Sequence, residues 1–276
     1  MTPPSLPSSS PPASSAAASS SSSAIAQTLW AARIPVQVTH ASRPDGPALV
    51  TSIPRFSYLA LLLPRLAAFF GGGAEALPCS GFRFEGVPLR NLPAGLLLDL
   101  YRPGRLPWRL TVDGGAGWDI ADTFLNGAKE ADFVRYGNAN QIMKMSKAHT
   151  TQLWQAVVDN DGAAHAAVQA RLLDAPVALR HVPLRVYVPA PPTDADAAAS
   201  FRVLQSLVPA AGPDRRPRLL GQALKELMPR LFPSSRDPVL AAVILHGAPV
   251  PFQAPLVDLM REAAYPDGWL CFVVVV

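Results

Sequence analysis

Only two cysteines occur in the 276 residues, Cys79 and Cys271, and neither has a CxxC neighbour. That excludes a disulfide framework and a cysteine-rich zinc site, and it fits a reducing compartment. Lysine is scarce: of 24 basic residues only Lys129, Lys144, Lys147 and Lys225 are lysines. Long hydrophobic runs are missing too. The longest candidate, residues 58–70, is cut by Pro64 and Arg65 and falls short of the roughly 20 residues that span a bilayer. The apolar end from Leu270 to Val276 is shorter still and reads as a strand. Charge of one sign is nowhere blocked. The net charge of +4 comes from scattered residues, so neither nucleic acid nor an anionic surface is implied as a partner.

Catalytic constellations are absent as well. His40, His149, His165, His181 and His246 have no second histidine, cysteine or carboxylate at metal-ligand spacing. There is no nucleophile elbow and no phosphate-binding loop; Gly71-Gly72-Gly73 reads as a helix end and linker. Cys271 falls in the closing strand, and Cys79 has no basic neighbour closer than Arg83. Neither thiol has the activating surroundings a transferase needs. No catalytic residue, metal ligand or cofactor site is expected.

What is present is core-forming material. Hydrophobic residues make up 49% and charged residues 16%, enough for about two packed domains. Residues 1–24 are almost wholly Ser, Pro and Ala. Such a segment buries too little apolar surface to offset chain entropy and is expected to be disordered. It is Ser-rich and acid-poor like a transit peptide, but its first arginine comes only at Arg33.

The rest of the chain contains a module written twice. Phe82-Arg83-Phe84-Glu85-Gly86 runs on through Val87, Pro88 and Leu89 to Leu98-Asp99-Leu100 and Trp108. Val243-Ile244-Leu245-His246-Gly247 runs on through Ala248, Pro249 and Val250 to Val257-Asp258-Leu259 and Trp269. Gly86 and Gly247 are 161 residues apart, Asp99 and Asp258 159, and Trp108 and Trp269 161. The front halves match too: alternating strands at residues 33–38 and 181–188, second strands at 48–53 and 201–207, then helices at 54–70 and 219–228. Pro54 suits a first helical turn. Strand, strand, helix, strand, short strand, turn, strand is the order of the ubiquitin β-grasp.

Between the copies lies a helical stretch. Ile120, Phe124, Ala128 and Ala131 recur at helical spacing, which places Lys129 about 145° from the centre of their face, toward solvent. After a break at residues 137–140, Thr150 or Thr151 can cap a second helix burying Leu153, Trp154, Val157 and Val158. A third helix, residues 163–173, buries Ala164, Val168 and Leu172. Gly127 should loosen the first helix by up to about 1 kcal/mol relative to alanine. An arginine cannot serve as an acylation target, because its guanidinium does not deprotonate; a lysine can. An exposed helical lysine in an arginine-rich chain therefore draws notice.

Phe124-Leu125-Asn126-Gly127-Ala128-Lys129-Glu130-Ala131-Asp132 resembles the conjugation segment of the autophagy-related protein 5 family. Pro54-Arg55-Phe56-Ser57-Tyr58-Leu59, Pro93-Ala94-Gly95-Leu96, Gln152-Leu153-Trp154 and Tyr265-Pro266-Asp267 are similar to further motifs of that family. The resemblance covers residues 29–275. It implies an α+β chain in which two ubiquitin-like β-grasp domains, residues 25–113 and 180–276, flank a helix-rich domain, residues 118–175. It also implies a non-enzymatic scaffold whose Lys129 accepts the ubiquitin-like modifier autophagy-related protein 12 as an isopeptide. E1-like and E2-like enzymes carry out that reaction, with Glu130 and Asp132 as candidate helpers. The conjugate would bind the coiled-coil autophagy-related protein 16. Only within that complex would it act like an E3, promoting lipidation of autophagy-related protein 8. A cytoplasmic protein recruited peripherally to the preautophagosomal membrane follows. Arg55, read as an unpaired cation opposing a helix dipole, is a candidate coiled-coil contact, with Trp30 and Asp99 as further candidates. Two alternatives stay open: an unmodified tandem ubiquitin-like adaptor, and an enzyme using Cys79 or Cys271.

Overall fold

The computed structural model describes residues 16–71, 77–114, 119–174, 176–190 and 201–276. Helix α1 (Ala16–Ala31) leads into β1 (Arg33–His40), β2 (Leu49–Pro54), a 3-10 turn at Leu59–Leu62 and α2 (Leu63–Phe70). Then follow β3 (Gly81–Phe84), β4 (Val87–Pro88), α3 (Ala94–Tyr101) and β5 (Trp108–Asp113). The middle holds α4 (Ile120–Tyr136), α5 (Asn140–Met143), α6 (Lys147–Asp159) and α7 (Gly162–Leu173). The last part begins with β6 (His181–Val182), β7 (Leu184–Pro189), β8 (Phe201–Gln205), β9 (Val208–Pro209) and α8 (Leu220–Leu227). It ends with β10 (Ala242–Leu245), β11 (Ala248–Pro249), α9 (Leu256–Ala263) and β12 (Leu270–Val275).

The repeat is visible strand for strand. One sheet has the order β2-β1-β5-β3-β4 and the other β8-β7-β12-β10-β11, with β1 parallel to β5 and β7 parallel to β12. Both β3–β4 and β10–β11 turn through two residues with positive φ, Glu85-Gly86 and His246-Gly247. That is the backbone a tight hairpin needs to match strand twist, and it explains the glycine in each copy. A bridge joins the approaches to the two helices in each copy, Tyr58 to Pro93 and Leu219 to Pro255. Trp108 and Trp269 are both fully buried, each in the core of its own copy. Two β-grasp domains flanking a helical bundle are therefore the architecture.

Several local expectations are corrected. Pro54 ends β2 and does not open a helix; the helical stretch starts only after Tyr58, and Pro64 takes the first turn of α2. The β1–β2 ladder extends to an Arg33–Pro54 pair, at the last position of an edge strand where proline is tolerated. Helix α6 is capped by Ser146, whose hydroxyl accepts from the His149 N–H at 3.3 Å, rather than by a threonine. Val158 is exposed, and α7 buries His165 rather than Ala164. The reading of residues 1–24 as disordered lies outside the described residues up to residue 15. From Ala16 the backbone is helical, and α1 docks on α7 and α9. Gly71 follows the end of α2 and its N–H bonds the Ala67 carbonyl, while Gly72 and Gly73 lie outside the described residues.

Candidate functional site: the outward lysine and the three-domain groove

Helix α4 carries the first candidate. The Asp119 side chain caps its start by accepting from the Asp122 N–H at 3.0 Å, and Gly137 ends it at positive φ. Ile120, Phe124, Ala128 and Ala131 are buried and Lys129 is exposed, as the periodicity indicates. Lys129 Nζ donates to Asn126 Oδ1 at 3.4 Å, one turn back. The flanking carboxylates are engaged elsewhere. Glu130 accepts from Arg185 at 2.7 Å, while Asp132 is fully buried and accepts from the Gln141 and Ile142 N–H groups at 3.0 and 3.1 Å. Asp132 thus caps α5, and burial raises its carboxyl above the usual range. This corrects the expectation that Glu130 or Asp132 attends the amine.

The inner side of α4 is fixed by the second β-grasp domain. Trp269 Nε1 donates to the Gly127 carbonyl at 2.9 Å, and Arg135, itself buried, donates to the Gly268 carbonyl at 2.9 Å. A Cβ at Gly127 would lie 3.1 Å from Asp267 Oδ2. The glycine is therefore a close-approach position for the 265–269 turn rather than a mere weakness in the helix. Arg185 stacks over the Trp269 ring at 3.8 Å while it holds Glu130.

Arg55, Asp99 and Trp30 meet at a second place. Arg55 is buried and ion-paired with buried Asp99, and it also donates to the Gly95 carbonyl at 3.3 Å. Burial pushes the Asp99 carboxyl up, against the pull of Arg55. The Arg55 and Ser57 carbonyls accept the Gly95 and Ala94 N–H groups at 2.8 and 2.7 Å, so this segment caps the start of α3. Arg55 is thus neither in a helical first turn nor unpaired, which corrects the dipole argument for a partner contact. Next to it, Phe56 packs edge-on against Trp30 at 5.1 Å, His246 at 5.3 Å and Tyr265 at 5.7 Å. Trp30 also meets His165 at 5.0 Å. Around Trp30 and Phe56 opens a groove of about 790 Å³, completed by Gly162, His165 and Leu173 of α7, Arg261 of α9 and Pro266. All three domains contribute to its walls.

The two histidines of this junction were not legible as a pair in the sequence. His165 Nε2 donates to the Pro266 carbonyl at 3.0 Å and His246 Nε2 to the Ala263 carbonyl at 2.8 Å. His246 Nδ1 faces the Arg55 guanidinium at 3.5 Å. Burial pushes both rings down to about 4 from an ordinary 6.5. The unfolded chain therefore binds more protons between those values. The stability these neutral rings contribute is complete above about pH 6.5 and is lost as pH falls toward 4, on the order of 3 kcal/mol per ring. Burial raises the carboxyls of Asp99, Asp132 and Asp267, which act in the opposite sense at the low end of this range. Comparison with variants isolates the histidines: urea midpoints between pH 7.5 and 4.5 are expected to fall less steeply in His165→Gln/His246→Asn than in the parent.

Three family descriptions match in tandem. Residues 29–113 match the UblA domain of autophagy protein ATG5, residues 119–175 its alpha-helical bundle region and residues 181–274 its UblB domain. The chain belongs to the autophagy protein 5 family. Among curated family members, autophagy-related protein 5 of Gibberella zeae is 64% identical over 256 residues, spanning 91% of this chain and 98% of that protein. Its counterpart in Beauveria bassiana is 61% identical with the same coverage of both chains. The crystal structure of Kluyveromyces marxianus Atg5 superposes with a TM-score of 0.73 at 20% identity, over 92% of this chain and all of that one, which shows the shared fold. The protein is thus an autophagy protein with the ubiquitin-like domain plan of its family. Among the described residues, no helix is long and apolar enough to cross a membrane.

Proposed function

We propose that this family member is a non-enzymatic scaffold whose Lys129 receives the ubiquitin-like modifier autophagy-related protein 12. The neutral Nζ attacks the thioester carbonyl carried by the E2-like enzyme, which an E1-like enzyme has charged. The N–C bond forms, the C–S bond breaks, the enzyme thiolate leaves, and the amine proton passes to solvent. The reading rests on one observation above all: Lys129 is exposed on a helix that is held from behind, with both flanking carboxylates tied to other groups. Holding the helix lowers the entropic cost of bringing amine and carbonyl together.

The conjugate then binds the coiled-coil autophagy-related protein 16. Supporting this is the three-domain groove, whose apolar wall at Trp30 and Phe56 suits the apolar face of a helix. Trp30 is the direct contact, while Arg55 and Asp99 brace Phe56 from beneath. As that complex, the protein promotes lipidation of autophagy-related protein 8 at the preautophagosomal membrane, reached from the cytoplasm through its partners. The test is a denaturing gel of cells expressing the chain. A shifted band is expected, lost entirely in Lys129→Arg and kept in Lys144→Arg and Lys147→Arg. A band that persists without Lys129 rules the acceptor assignment out, and no band in the parent favours an unmodified tandem adaptor.

A further inference from the structure

We propose that Phe133 is a specificity-determining contact for the thioester-carrying enzyme that delivers the modifier to Lys129; the inference rests on Lys129 as acceptor. Single exposed hydrophobic residues are ordinary on protein surfaces, so exposure alone says little. The position of Phe133 is what matters. It lies four residues after Lys129, one helical turn or about 6 Å along α4, and therefore beside it on the same outward face. The other exposed positions of α4 are Asp122, Thr123, Asn126, Lys129 and Glu130, all polar. Phe133 is the single large hydrophobe among them, is 55% exposed, and belongs to none of the three buried clusters.

The occupant follows from the chemistry of the transfer. For Nζ to reach a thioester carbonyl, the body of the enzyme bearing that thioester must come down on the surface around Lys129. A residue one turn away falls within that footprint. The side chains of α4 beside the amine offer little else for recognition. Asn126 is bonded to the amine itself, Glu130 is held by Arg185, and Asp132 is buried. An aromatic ring is the side-chain type that anchors such contacts, because it loses little conformational freedom and buries much area. The enzyme is expected to present an apolar pocket to it.

The test is single-turnover discharge of the preformed enzyme–modifier thioester onto the full-length chain, with chain concentration varied and isopeptide product read on denaturing gels. For Phe133→Ala, the concentration giving half the maximal rate is expected to rise about ten-fold. The plateau rate and the thermal midpoint should stay unchanged, since the ring is exposed. Phe133→Leu should recover most of the loss, and Val203→Ala, an exposed position on β8, should behave as the parent. An unchanged concentration dependence in Phe133→Ala overturns the proposal. So does a loss confined to the plateau, or a defect seen only in the thermal midpoint of the finished conjugate, which makes the modifier the occupant. Adduct formation by the parent, lost in Lys129→Arg, separately checks the acceptor reading. No parental adduct overturns both.

Discussion

Asp99→Ala is expected to lower the free energy of unfolding by about 3–5 kcal/mol, the cost of leaving a buried guanidinium without its carboxylate. Arg55 has few alternatives. Its remaining acceptors are the Gly95 carbonyl and His246 Nδ1, both neutral. Its backbone carbonyl accepts the Gly95 N–H at 2.8 Å, which fixes the backbone from which the side chain departs. Removing both charges at once should cost far less. Arg55→Met/Asp99→Leu is expected within about 1–2 kcal/mol of the parent, because the desolvation of both ions is relieved along with their attraction. Urea unfolding of the two single variants and the double variant gives the coupling energy. If Asp99→Ala costs no more than the double variant, the buried pair is not what holds this corner of the first β-grasp domain to His246 of the second. The groove provides a second readout, since Phe56 sits next to Arg55 and forms its floor against Trp30.

Trp269→Ala should cost at least about 3–5 kcal/mol through the cavity left by a fully buried indole. Its particular consequence lies in α4. The indole N–H is the donor to the Gly127 carbonyl, two residues before Lys129, and its ring face supports the Arg185 that holds Glu130. Trp108, its counterpart in the first copy, has the same burial, but among the described residues its Nε1 has no hydrogen-bond partner. The milder pair of variants isolates this difference. Trp269→Phe is expected to cost about 1 kcal/mol more than Trp108→Phe, the net worth of the lost indole hydrogen bond, because the Gly127 carbonyl keeps its acceptor role inside α4. Hydrogen exchange should show lost protection across residues 120–136 only for the Trp269 variant. Equal costs and an unchanged exchange pattern in α4 would mean that the second domain does not anchor the lysine-bearing helix.

The two tryptophans show how far local pattern carries. Their 161-residue offset, the matching glycines of the hairpin turns and the alternation around them were enough to read two β-grasp modules, because strand period and turn backbone are properties of neighbouring residues. Periodicity likewise placed Lys129 outward. Nothing local says that one indole serves its own core while the other reaches a helix 142 residues away. Arg55 failed for the same reason. Its sequence neighbours suggested an unpaired cation in a helical turn, whereas its partner lies 44 residues on, in α3. His165 and His246, Gly127 against Asp267, and the groove walls all depend on how the three domains pack on one another.

Local pattern sufficed for the two β-grasp modules, the helical middle and the outward face of Lys129, since each follows from turns, strand alternation or helix period within a short stretch. Tertiary packing, within domains for Arg55 and Asp99 and between them for the rest, decided which charges are paired, which histidines stay neutral, why residue 127 has no side chain, and where a groove opens. Those outcomes depend on burial and distance between residues far apart in the chain, and no spacing rule along one stretch contains them.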